Sequence, residues 1–250
     1  MAQASSLGLP DLRWGEHFFQ EREVEAQLSG TRYRLHYIDD IGFWQVFDQQ
    51  HRAGLQLMQS PDGYPDWDPG SPLRNFMHWN LVGKDQGLVH AGTPAIAGTG
   101  FMFAGPGGSG KLATVLASIA DGMKSVGDDY LSARVEDGCV NAFALFTTLK
   151  QDPEGMQRLA LNQDNSISSG VNWQGKHQFT LPDVDPTSGV ADIQVRALFL
   201  LPVTGKKKTV IRPAGGKEAF LALAPSGVSQ IPGDRDASFA ICAKLAHDLP

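Results

Sequence analysis

"AGPGGSGKLAT", Ala104–Thr114, is the stretch that decides the fold. Gly105, four residues, then Gly110 and Lys111 is the order of a phosphate-binding loop. Such a loop needs a strand before it and a helix after it. Its backbone N–H groups then converge on phosphate oxygens, and the helix N-terminus adds its positive end. Both flanks are present. The apolar run "FMFA", Phe101–Ala104, leads in as a strand. Beyond Lys111, the residues Leu112, Val115, Leu116 and Ile119 recur at helical spacing until Gly122 closes the helix. Pro106, Gly107, Gly108, Ser109 and Gly110 form a loop whose backbone approaches an anion closely. Lys111, on the first helical turn, reaches the outer phosphates. The next position ordinarily carries a Ser or Thr hydroxyl that holds Mg²⁺, and here it is Leu112, on the apolar face of the helix. Thr114 lies about 200° further round and does not replace it.

The chain contains a second copy of the pattern, "GVNWQGK", residues 170–176. It follows "NQDNSISS" and precedes "HQFTLP", so it has neither flank and reads as a loop. Context also supplies partners for the first copy. "GLVHAGTPAIA" ahead of "FMFA" reads as the other arm of a β-hairpin with a glycine turn. If that hairpin turns at Thr99, Phe101 faces Ala97 and His90 projects to the level of Gly108, beside the transferred phosphate. Downstream, "MKSVGDDY" reads as a short strand ending in Asp128 and Asp129. A parallel neighbour strand would deliver both carboxylates beside the loop. One would hold Mg²⁺ and the other accept a proton from an attacking hydroxyl.

The segment "LVHAG…FMFAGPGGSGKLATVLASIADGMKSVGDDY", Leu88–Tyr130, resembles the core of the HPr serine kinase/phosphorylase family, particularly its short bacterial kinase-like relatives. The shared order is His, hairpin, phosphate loop, helix ending in Gly, then an acidic pair. The resemblance implies an α/β fold of P-loop kinase type, related to phosphoenolpyruvate carboxykinase, with a mixed β-sheet and flanking helices. It implies ATP and Mg²⁺ as cofactors and a serine of a protein or peptide as acceptor. Gly105 to Leu112 would bind phosphates, with Lys111 and His90 at the reacting group. Asp128 would be the general base and Asp129 the metal-side carboxylate, and with Leu112 in the hydroxyl position the two carboxylates together, Asp129 and Asp128, would hold Mg²⁺ with water filling the gap. Lys150, Lys176 and Arg212 would be candidates for further positive charge. Leu112 departs from the family pattern, which leaves a nucleotide-binding pseudokinase or regulatory module as the alternative.

The rest of the chain frames this core. "TRYRLHYID", "GFWQVFD" and "AGLQLMQ" predict a β-rich N-terminal region, joined by the proline-rich "SPDGYPDWDPGSP" to the kinase-like domain: 1–72, then 73–250. "LRNFMHWNLV" has helical spacing. "LSARVEDGCVNAFALF" reads as a hairpin around Asp137-Gly138, and "DIQVRALFLLPV" as a buried strand. Residues 150–178 read as a polar, irregular loop. The terminal "DASFAICAKLAHDLP" reads as a helix apolar at Phe239, Cys242, Leu245 and Leu249. With 21 basic and 27 acidic residues, net charge −6, no basic excess points to nucleic acid. "KKK", 206–208, is the single basic run and reads as a solvated turn. Cys139 and Cys242 have no ligand-like spacing and read as reduced core residues. The N-terminus lacks a signal-peptide pattern and no apolar run nears the ~18 residues of a membrane span, so a cytoplasmic protein with no membrane partner is expected. The oligomeric state is left open.

Overall fold

The computed structural model describes residues 26–38, 41–58, 60–61, 64–65, 68–82, 84–161, 170–202 and 208–250, the side chains of 226, 227 and 229 aside. Expectations that rest on Trp67, Lys206, Lys207 or residues 162–169 lie outside them. The chain divides into two compact units, Met1–Pro65 and Asp66–Pro250. The second begins inside the proline-rich connector.

The first unit is an antiparallel meander of β1 (Tyr33–Ile38), β2 (Phe43–Asp48) and β3 (Ala53–Met58). β2 alternates: Phe43, Gln45 and Phe47 are buried on one face, which is the period-2 signature of a half-covered strand. On β2's other side Trp44 stacks on Tyr37, ring centroids 4.0 Å apart. The β2–β3 turn is held by the Asp48 carboxylate, which accepts from the backbone N–H of Gln50 and of His51.

The second unit is α/β with a mixed sheet. Its strands are β4 (Gln86–His90), β5 (Pro94–Ile96), β6 (Thr99–Ala104), β7 (Lys124–Ser125), β8 (Tyr130–Glu136), β9 (Cys139–Phe143) and β12 (Asp192–Leu200), in the spatial order β4-β8-β9-β12-β6-β5-β7. β12 is central and pairs in parallel with β6. Its buried Ile193 and Val195 fit that place. β10 (Thr148–Gln151) and β11 (His177–Thr180) form a separate antiparallel pair.

The helices are α1 (Arg74–Leu81), α2 (Lys111–Ala120), α3 (Pro153–Arg158), α4 (Leu181–Val184), α5 (Gly216–Ser229) and α6 (Arg235–Asp248). α5 and α6 pack on each other and against β4. Leu223, Ile241, Cys242 and Leu245 there meet Val89, Met102, Leu131 and Val135 of the sheet. α2 buries Val115, Leu116 and Ile119 against Leu149, Met156, Phe179 and Leu181, with Leu112 partly buried at the edge of that cluster. Among the described residues no helix is long and apolar enough to cross a membrane.

Four expectations are corrected. The hairpin turns at Ala97-Gly98, not Thr99: Ile96 pairs with Thr99 and Ala95 with Gly100. Ala97 and Gly98 have φ of 48° and 77°, the left-handed pair of a two-residue hairpin turn. Asp137-Gly138, at 51° and 71°, makes the same turn between β8 and β9. His90 therefore lies outside the hairpin, on β4 opposite Tyr130 of β8. Second, β7 is a two-residue strand antiparallel to β5, and the acid pair follows it in a turn rather than ending a parallel strand. Gly127 at φ 127° and Asp129 at φ 75° break the extended backbone there. Third, residues 150–178 are partly regular: β10 is followed by α3, capped by the Asp152 side chain with Pro153 in its first turn. Fourth, Phe239 is 53% exposed, resting on Phe220 instead of the core; Ile241 takes the buried position.

Candidate functional site

β6 delivers the chain into Gly105–Gly110 and α2 carries it away, so the glycine loop has the strand and the helix its sequence promised. Gly108 and Gly110 have φ of 78° and 94°, conformations that cost a side-chain-bearing residue and cost glycine little. No side chain caps α2: Gly110 is its N-cap. The first-turn N–H groups and the dipole's positive end thus face the loop. Ser109 is buried within the loop, at 8% exposure, and its Oγ has no partner. A buried hydroxyl left unpaired is costly unless something arrives to accept from it. Lys111 is buried too. Its Nζ donates to the carbonyls of Gly105 (2.8 Å) and Pro106 (3.2 Å), folding the side chain back over its own loop. Burial pulls its pKa below the ordinary lysine value, with Asp128 and Asp129 opposing.

The acid pair is brought against the loop by a turn with internal ties. Ser125 Oγ accepts from the Gly127 N–H, and Thr93 Oγ1 donates to the Gly127 carbonyl at 3.0 Å. Gly92 lets the β4–β5 link pass between this turn and α2. A Cβ there would lie 2.7 Å from Val115 Cγ2 and 3.1 Å from Asp128 Oδ1.

The two acids then meet opposite environments. Asp128 is buried with no partner on Oδ1. Burial first, then the Asp129 charge, push its pKa up to about 7, against the pull of Lys111. Asp129 is engaged on both oxygens. Oδ2 accepts from Lys150 Nζ (2.8 Å) and Ser71 Oγ (3.1 Å), and Oδ1 faces His90 Nε2 at 3.4 Å. Burial opposes its charge, but Lys150 foremost, then His90, hold its pKa below the ordinary carboxylate value.

Burial lowers His90 to about 4, with Asp129 opposing and Lys111, Lys150 and Lys176 adding to the fall. The imidazole is therefore neutral at pH 7; its Nε2 lies 3.4 Å from Asp129 Oδ1, and its buried Nδ1 has no partner. Its ring stacks on Tyr130, whose hydroxyl donates to Gln230.

His90, Lys111, Asp128, Asp129 and Lys150 converge, joined by Ser109 from the loop. Lys176 is half-buried, and its charge is felt at Lys111 and His90. Arg212 is not brought there: it is exposed and paired with Glu218 at 3.1 Å. The twin "GVNWQGK" is a side-chain turn, the Asn172 Oδ1 accepting from the N–H of Gln174 and Lys176. Ser71 and Gly70 of the connector, and Gly92, were not expected at the site. A lone serine after "DPG" carries no pattern that would have marked it.

Phosphate fits this donor set: loop amides, Lys111 and an orphaned buried hydroxyl. A divalent cation does not. Leu112 stands in the hydroxyl ligand's place in the chain and packs into the apolar cluster; Asp129 Oδ2 is held by Lys150 and Ser71, with His90 Nε2 3.4 Å from Oδ1; and Asp128 alone keeps an unpartnered oxygen, one ligand against the several a divalent cation takes. Among the described residues no group of three or more His, Cys, Asp or Glu side chains is arranged to hold a metal.

No family model matches the chain, and no curated protein matches it. Thirty-three chains of solved structures do. One of them is the Hpr(Ser) kinase/phosphatase from Coxiella burnetii, to which this chain is similar over 49% of its own length and 69% of that chain's, at 18% identity and a TM-score of 0.32.

Proposed function

We propose that the chain binds ATP through Gly105–Leu112 and transfers its terminal phosphoryl group to a serine hydroxyl of a protein or peptide. The observation that carries this reading is the state of Asp128. It is a buried carboxylate with a free oxygen, beside Lys111, with its pKa raised to about 7. A general base works best with a pKa near the operating pH. In the step, the acceptor's Oγ attacks the terminal phosphorus and a new O–P bond forms. The bond from that phosphorus to ADP breaks, and the acceptor's proton passes to Asp128. Loop amides, Ser109 and Lys111 stabilise charge on the phosphoryl oxygens, and neutral His90 keeps Asp129 oriented. The cytoplasm, which supplies ATP, is the compartment this reading requires.

A second reading is binding without turnover. Lys111 folded onto its own loop carbonyls and Leu112 in the hydroxyl position favour it. One set of measurements separates the two. ATP at about 100 times its Kd should stabilise the fold by roughly 2.7 kcal/mol in thermal melts. Lys111→Ala should abolish that shift, and a shift that survives would sink the loop assignment. Label from ATP should reach a protein or peptide substrate with the parent chain, at a rate that rises through pH 7. With Asp128→Asn it should fall by about 10²-fold or more. Binding without any transfer selects the second reading.

A further inference from the structure

We propose that the Lys150 ammonium is the resident cation of this site, and that the loop takes the phosphate chain of its ligand without a divalent metal ion. The inference rests on the loop's being a polyphosphate site.

Asp129 is the metal-side carboxylate of the acid pair, the one a metal would need. Its Oδ2 already accepts from Lys150 Nζ at 2.8 Å and from Ser71 at 3.1 Å, and His90 sits on its Oδ1. The seat for Lys150 is built into the fold. β10 carries it, with Lys150 paired opposite Gln178 of β11. The end of its side chain lies against Gly70, the last residue of the 3₁₀ turn Asp68–Gly70. A Cβ on Gly70 would overlap Lys150 Cε and come within 2.5 Å of Nζ, so glycine at 70 is what lets the ammonium reach Asp129. The side chain is only 17% exposed. The residue that would supply the loop's own metal ligand is Leu112, which offers no ligand atom and packs against the cluster of Val115 and Leu116.

Two lysines, Lys111 on the loop and Lys150 on Asp129, therefore serve where other sites use one lysine and one divalent ion. The charge of Lys150 reaches Asp128 as well as Asp129. Cations fixed in a partly dry site neutralise phosphate oxygens without the cost of stripping water from a metal ion.

The test is calorimetry on the full chain with ATP, and separately with inorganic tripolyphosphate. Each is titrated once in chelator and once in excess Mg²⁺. Affinity in chelator should be within about threefold of that with Mg²⁺, or tighter. Lys150→Gln should weaken binding in chelator by about tenfold or more, and Mg²⁺ should restore part of the loss, because Asp129 is then free to bind it. A lysine that only props up the fold would not create a metal requirement. A parent chain that binds more than about tenfold better with Mg²⁺ overturns the proposal while leaving the loop assignment standing. So does Lys150→Gln binding unchanged in chelator. No binding of either probe in either buffer overturns both. If Lys150→Gln does not fold, the parent-chain comparison decides alone.

Discussion

Asp128 and Asp129 are adjacent in sequence and titrate in opposite directions because one keeps a free oxygen and the other meets Lys150, Ser71 and His90. That contrast has a consequence for stability. Asp128 rises from 3.8 to about 7, so the folded chain holds its proton where the unfolded chain has lost it. The stability it contributes is present at low pH and is lost as pH rises through that window. His90 falls from 6.5 to about 4, so its neutral form favours folding, and stability is lost as pH falls through that window. The two slopes oppose each other between about pH 4 and 6.5. Melting temperatures of Asp128→Asn relative to the parent should climb as pH rises from about 4 to 7, and those of His90→Gln should climb as pH falls from about 6.5 to 4. Parallel profiles for all three proteins would show that neither group is buried as described. The charges facing this pair are Asp129, Lys111 and Lys150, with Lys176 also felt at His90, and all act from within a buried cluster, so salt should flatten both slopes only weakly.

At the scale of elements, α2 does two things with one face. Its N-terminus closes the phosphate loop, and Leu112, Val115, Leu116 and Ile119 fasten it to β10, β11 and their flanking helices. The leucine that breaks the phosphate-loop pattern is thus part of what anchors the helix. Leu112→Ser removes apolar contact from a partly buried position and should cost about 1–3 kcal/mol in denaturant unfolding. A loss within about 0.5 kcal/mol would mean that Leu112 behaves as a surface residue. The same cluster ties β10, which carries Lys150, to α2, which carries Lys111, so both lysines act on the acid pair although they are far apart in the chain.

At the scale of the molecule, the second unit holds its own core, and the site residues described above, Gly70 and Ser71 through Lys176, belong to it. Residues 66–250 expressed alone should melt cooperatively and show an ATP-induced stabilisation within about 0.5 kcal/mol of the full chain's. A chain that does not melt cooperatively would show that the first unit contributes to the core of the second. Much of this unit was legible beforehand. The loop and its flanks, the Asp137-Gly138 hairpin, α1, α6 and the central β12 follow from local patterns: glycine spacing, helical and period-2 hydrophobicity, and turn dipeptides. Each is decided by neighbours within a turn or two of the chain. What tertiary structure decided is everything that depends on distant pairing. The hairpin register moved because Ala97-Gly98 and Gly98-Thr99 are both acceptable turns, and only strand pairing chooses between them. His90 came to Asp129 through β8, not through the hairpin. Ser71 and Lys150 met Asp129 from separate segments, with Gly70 beside the Lys150 side chain, and no local pattern marks a residue that is chosen by what it faces. The sequence by itself determined that a glycine loop sits between a strand and a helix with two acids downstream. Which acid is free and which is held, and by what cation, was set by burial and by charges folded in from elsewhere in the unit, because a carboxylate's state depends on the field around it and not on its neighbours in the chain.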